Sequence, residues 1–320
     1  MKFSAYESNR NVVSVWAYPL FLVLILLLIH NWTGALTWPV LDDDHQRDFN
    51  TALGTTLLSG FFWLTIRNVH KNAASTLIAV LVSLEKLSQY NHHRGVLSRQ
   101  FARHLMWSTS VGVIMPVAYL LSEGLVIRID EPEVLVIALT SIPFWLLLTL
   151  FILQVFSNTH YLQKLASTEH SYSIKELNSL REIFNMALSN TLIAVSGFAL
   201  TPIFWINKPV PFFDIVILTV YAGLISAYLF LPMIIVAKRM RTVSNIMMTE
   251  HESEITQLIR QQANSGETST LSKKIESIET NKETLRKILS KSQKLRLLMC
   301  MMPLPTSWFV FLFVEYFYYG

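Results

Sequence analysis

The chain is poor in charge, poorer still in cysteine, and empty of the short motifs that mark enzymes. Only 15% of its residues are Asp, Glu, Lys or Arg, against about 25% in a soluble globular chain. The deficit is local: Val12–Ile29, Val134–Phe156 and Ile215–Ala237 contain none of them. Those runs exclude an ordinary soluble domain, because about 18 apolar residues as helix are enough to cross a bilayer core of roughly 30 Å. One cysteine, Cys300, excludes an internal disulfide and a cysteine-based metal cluster. There is no Gly-rich phosphate loop, no G-x-S-x-G, no H-E-x-x-H and no C-x-x-C. Each supplies a defined piece of chemistry, so no enzyme, no cofactor and no metal site is expected. No small-residue cleavage motif follows the first apolar run, so no separate signal peptide is expected either.

What is present reads as an all-α, polytopic membrane protein. Six spans are expected at about 12–30, 51–66, 105–122, 134–156, 186–206 and 213–236, and a seventh at about 297–319. The second is short and rich in Thr and Gly. Residues 1–236 form a transmembrane bundle with helical connections 67–104 and 157–185. Residues 237–296 form a helical hairpin or stalk, and 297–320 a last membrane-embedded segment. The N-terminus and the three long connections hold 23 Lys and Arg, whereas the three short connections hold Arg47, Arg128 and Lys208. The positive-inside rule therefore places the N-terminus in the cytoplasm, in a cell membrane or bacterial inner membrane.

The long connections carry helical patterning. In 72–90, Leu77, Leu81 and Leu84 with Ile78 and Val82 predict a short amphipathic helix. The stretch 157–185 reads as two helix ends around "TEHSYS", and 238–262 continues the sixth span as a polar helix. "ANSGETST" (263–270) breaks it. Beyond the break Leu271, Ile275, Ile278, Leu285 and Leu289 repeat at heptad-like spacing, interrupted by Lys282. The plain reading is a stabilising or oligomerising stalk, the sharper one an element that gates or docks a partner. The layout, seven spans ending at the last, is similar in topology alone to insect-chemoreceptor-type channels.

Spans 1–6 have no Asp, Glu, Lys or Arg in their interiors; Glu123 and Asp214 sit at span ends. That argues against a proton-driven pump, which needs a carboxylate at depth. Thr55 and Ser59 of span 2 are candidate pore-lining groups, with hydrogen bonding back to their own helix as the plain alternative. The nine histidines show no ligand-like spacing and read as solvated. In span 6, Ala222 with Ser226 and Gly223 with Ala227 form two small-xxx-small pairs that permit close helix packing or a subunit interface. Lys238, Arg239 and Arg241 follow that span directly and are expected at anionic headgroups. The basic stretch 271–296 lacks interleaved aromatics, so nucleic acid is not an expected partner.

Two short connections are acidic. "LDDDHQRD" supplies Asp42, Asp43 and Asp44 as candidate outer-mouth groups, and Glu123, Asp130, Glu131 and Glu133 add to them. Such a face attracts cations; acids are also what remains once basic residues are kept inside. Glu315, in "TSWFVFLFVEYFYYG", lies within about a turn of the outer interface, as an anchor or as an acid at a pore mouth. The sequence thus points to an oligomeric ion channel with a cation-attracting outer face. The alternatives are a scaffold or sensor that docks a cytoplasmic partner through 237–296, and a transporter of a neutral or lipid-like solute. Membrane lipids and further copies of the chain are the expected partners.

Overall fold

The computed structural model describes residues 6, 13–38, 42–122, 124–167, 172–206, 212–265, 276, 278 and 280, with backbone alone for 13, 14, 212–227, 229 and 261–265. The described chain is all-helical. Its helices are α1 (Val13–Trp32), α2 (Asp43–Ser83), α3 (Tyr90–Ser122), α4 (Pro132–Ser167), α5 (Ile174–Phe198) and α6 (Phe212–Ser265). Short 3-10 turns over Leu87–Gln89, Leu125–Arg128 and Thr201–Trp205 join some of them.

Among the described residues, four segments are long and apolar enough to cross a membrane: Val15–Trp32, Leu87–Ser122, Pro132–Ser167 and Ile174–Trp205. The expected second span lies in α2 and is not one of the four. The reason is its position. α2 packs against α1, α4, α5 and the Thr201–Trp205 turn, and Ala52, Gly54, Thr55, Thr56, Leu58, Ser59 and Gly60 are all buried. A helix wrapped by protein needs no apolar exterior. Small residues serve it better, because they let neighbours close in. Gly60 stands against Val23 and Pro19 of α1, and Gly112 of α3 against the backbone of Ile142 and Leu146 on α4.

α1 and α3 flank the bundle and leave apolar faces open. Trp16, Phe21 and Leu28 of α1 and Met106, Trp107, Ile114 and Leu121 of α3 are exposed. Exposed apolar surface on this scale suits lipid or another copy.

The sequence divides the second span from an amphipathic helix at 72–90; the structure joins them in one 41-residue helix. Arg67 does not interrupt it. Its guanidinium donates to the Val15 carbonyl at 3.4 Å and sits 5.5 Å from the Tyr18 ring centroid. Leu77 and Leu81 are fully buried, but Val82 is exposed. α2 stops at a Schellman turn: the Lys86 N–H donates to the Leu81 carbonyl and the Glu85 N–H to that of Val82. This places Glu85 at φ 59°, the left-handed conformation that usually takes glycine. α4 ends at Ser167 and α5 begins after Ser173, whose hydroxyl accepts from the Glu176 N–H as an N-cap.

Two apolar cores lie end to end. One gathers Leu58, Phe62, Ile66, Phe144, Leu148 and Phe151 from α2 and α4, with Ala194 of α5. The other gathers Leu77, Leu97, Leu162, Leu180, Phe184, Met233, Val236 and Met240, from α2 to α6.

Candidate functional site

Polar side chains concentrate in two layers, one on each side of the first core. The acidic layer is built by the start of α2 and the entry to α4. Asp42 caps α2, accepting from the His45 N–H at 2.8 Å, and its Oδ1 also lies 2.8 Å from His45 Nδ1. Those contacts hold the Asp42 carboxyl below its usual range and raise the His45 imidazole above its own. Arg128 arrives from the other segment. It grips Glu131 at 2.6 Å and reaches Asp44 at 3.3 Å and Asp48 at 3.6 Å. The Glu131 carboxyl is correspondingly depressed. Asp48 is buried beside Arg47 and Arg128, and its pKa is raised because burial outweighs both guanidinium groups. Two residues further, Asn50 donates to the Ile206 carbonyl at 2.8 Å, tying α2 to the exit of α5.

The second layer is a neutral hydrogen-bond network. His70 of α2 and His104 of α3 converge on Gln154 of α4. Gln154 Nε2 lies 2.9 Å from His104 Nδ1, and its Oε1 lies 3.2 Å from His70 Nε2. Tyr6, which precedes α1, enters the same layer. Its hydroxyl is 2.8 Å from Gln154 Oε1 and 2.9 Å from Asn158 Oδ1. The Tyr6 ring lies 4.6 Å from that of His70, which stands edge-on to Phe101 at 4.9 Å. Tyr6, Gln154 and Asn158 are each 1% exposed, whereas His104 is half-buried. Asn72 extends it to α5, donating to Asn190 at 3.2 Å.

The spacing of the layers is informative. Asp48 and His70 are 22 residues apart on α2, about 33 Å at 1.5 Å per residue. Glu133 and Gln154 are 21 apart on α4, about 32 Å. Both separations match a hydrocarbon core of roughly 30 Å.

The sequence-predicted residues fall unevenly on this frame. Asp42, Asp43 and Asp44 all lie in the acidic layer, and Asp43 is exposed. Thr55 and Ser59 are buried, and their hydroxyls donate to the carbonyls of Thr51 and Thr55 in their own helix at 2.7 and 2.6 Å. Arg239 was expected at a headgroup; instead it donates to Glu176 Oε1 at 3.0 and 3.1 Å, and Glu176 is buried. A buried carboxylate demands a cation, and Arg239 supplies it. Lys238 and Arg241 are exposed. Ala222, Gly223, Ser226 and Ala227 lie within α6, where only the backbone is described. Of the heptad-like set, Ile278 is buried, while Leu271, Ile275, Leu285 and Leu289 lie outside the described residues, as does Glu315.

The sequence reading missed His70, His104 and Tyr6. It expected solvated histidines, yet His70 is buried and His30 is fully so, with its Nε2 3.0 Å from Thr140 Oγ1. The available signal was register: His70 follows Phe62, Ile66 and Val69 on the buried face of one continuous helix. Among the described residues no group of three or more His, Cys, Asp or Glu is arranged to hold a metal ion. No family model matches the chain, and no curated protein or solved structure matches it.

Proposed function

We propose that this integral membrane protein assembles into an oligomeric, cation-favouring ion channel whose path runs between copies. The observation that carries this reading is the meeting of two acidic segments at one end of the bundle. Residues 42–48 and 128–133 bring seven acids together against Arg47 and Arg128. Fixed negative charge in excess raises the local cation concentration within about 8 Å in physiological salt. The path is assigned to the boundary between copies because α2, packed against α1, α4 and α5, keeps its candidate pore-lining hydroxyls occupied: Thr55 and Ser59 are buried and bond to their own helix.

Purified protein in a planar bilayer is the test. Currents should reverse near the cation equilibrium potential in a salt gradient. Asp43→Asn with Asp130→Asn, both at exposed positions, should lower the cation-to-anion permeability ratio without loss of assembly. Silence across voltages and ionic conditions overturns the proposal.

A second reading is favoured by α6. It runs unbroken for 54 residues, and Arg239 near its middle is held by Glu176. A continuous helix with an internal anchor suits a scaffold or sensor that presents its polar half to a soluble protein. Deletion of 261–296, which leaves Arg239, Met240, Val243 and Met247 in place, would then release a co-purifying partner while the bundle stays folded.

A further inference from the structure

We propose that Tyr6 is the resident ligand of a built phenol-binding site, and that a free para-substituted phenol takes this site when Tyr6 leaves it. Tyr6 precedes α1 in the chain and is 1% exposed, in contact with residues of α2 and α4. Its surroundings match the two ends of a phenol. The ring meets the His70 imidazole at 4.6 Å, within the range of favourable aromatic pairs, and joins the apolar cluster that holds Leu77, Leu97 and Leu162.

The hydroxyl meets two amides, and the pattern of donors defines what the site reads. A phenol has one proton to give and lone pairs to receive. With His104 Nδ1 as the acceptor nitrogen, Gln154 Nε2 donates to it and Gln154 Oε1 is the acceptor facing Tyr6 and His70. The Tyr6 proton therefore goes to Gln154. Asn158 Oδ1 at 2.9 Å then faces a phenol oxygen with no second proton, while Asn158 Nδ2 is buried with no partner. Turning that amide by 180° removes the conflict: Nδ2–H donates to the phenol oxygen. The oxygen and nitrogen of an amide are distinguished only by such networks. The site thus supplies one acceptor, Gln154, and one donor, Asn158, to a hydroxyl at the end of a ring. A methyl ether cannot donate to Gln154, and a bare arene satisfies neither group. Leaving such buried groups unpaired is what gives a site of this kind its discrimination.

The test uses the full chain in detergent, with thermal unfolding as readout and p-cresol, toluene and 4-methylanisole as probes of similar size and hydrophobicity. Tyr6→Ala should unfold several degrees below the parent. p-Cresol should restore much of that loss, the other two little, and p-cresol should leave the parent unchanged. In Tyr6→Ala with Gln154→Leu the rescue should vanish. The proposal is overturned if p-cresol does no more than toluene, or if it shifts parent and variant equally. Should Tyr6→Ala fail to fold, Tyr6→Phe keeps the ring and removes only the hydroxyl. It should then melt below the parent, and a melting point equal to the parent's overturns the proposal.

Discussion

The pair Glu176–Arg239 shows how one residue decides what its neighbour does. Glu176 has a side-chain exposure of 2% and Arg239 of 27%, and their closest contact is 3.0 Å. Breaking a buried pair leaves an uncompensated charge and costs about 3–5 kcal/mol, whereas neutralising both partners removes most of that penalty. Arg239→Met should therefore destabilise the chain strongly, and Arg239→Met with Glu176→Gln should recover much of the loss in a denaturant titration. A double variant no better than the single would show that the carboxylate finds another partner. Steric constraint acts at the same scale. A Cβ on Gly112 would lie 3.2 Å from the Ile142 carbonyl oxygen and the Leu146 nitrogen, both backbone atoms that cannot step aside. Gly112→Leu should cost about 1–3 kcal/mol by forcing α3 from α4, read as a lower unfolding midpoint. These roles were only half legible beforehand. Composition shows that Arg239 is basic and follows an apolar run; it does not show that Glu176, 63 positions earlier, is buried beside it.

The element scale is where the pattern of apolar residues was most and least informative. The apolar stretches of α1, α4 and α5 follow from charge-free runs. α2 was read as two pieces because its buried side mixes Asn50, Thr55, Thr56, Ser59 and His70 with apolar residues, so no clean apolar stripe marks its register. Its beginning can be tested directly. Asp42→Ala removes the N-cap and should lower the melting temperature, while Asp42→Asn, which can still accept from the His45 N–H, should lower it less. The same contact has a pH signature. His45 is raised above its ordinary value of 6.5 by Asp42. Its contribution is fully present below pH 6.5 and is lost as pH rises through the raised value. In that interval the parent should lose stability with rising pH, and His45→Gln should show a flatter profile. Asp42 and Glu131 are depressed, so their contributions hold above the ordinary carboxylate range and fade on acidification.

For the whole molecule, the two polar layers turn a charge count into a geometry. The excess of basic residues predicted which end faces the cytoplasm, but it could not show that acids from separate connections meet at Arg128. In a Cys300→Ser background, Asp43→Cys should react with an impermeant thiol reagent added outside intact cells. Lys238→Cys should react only after permeabilisation. Equal labelling of both would remove the assigned orientation. The length of α2 carries a further consequence. One stiff rod holds His45 and Asp48 among the ionised groups at one end and His70 beneath the Tyr6 ring at the other. If it pivots about the closely packed crossing at Gly60, its two ends must swing in opposite senses. A tilt of 5° over the 33 Å between Asp48 and His70 is a relative shift of about 3 Å, enough to break a hydrogen bond. The central helix is in this sense a see-saw, and neutralising charge on one side would be felt as a loosened tyrosine on the other.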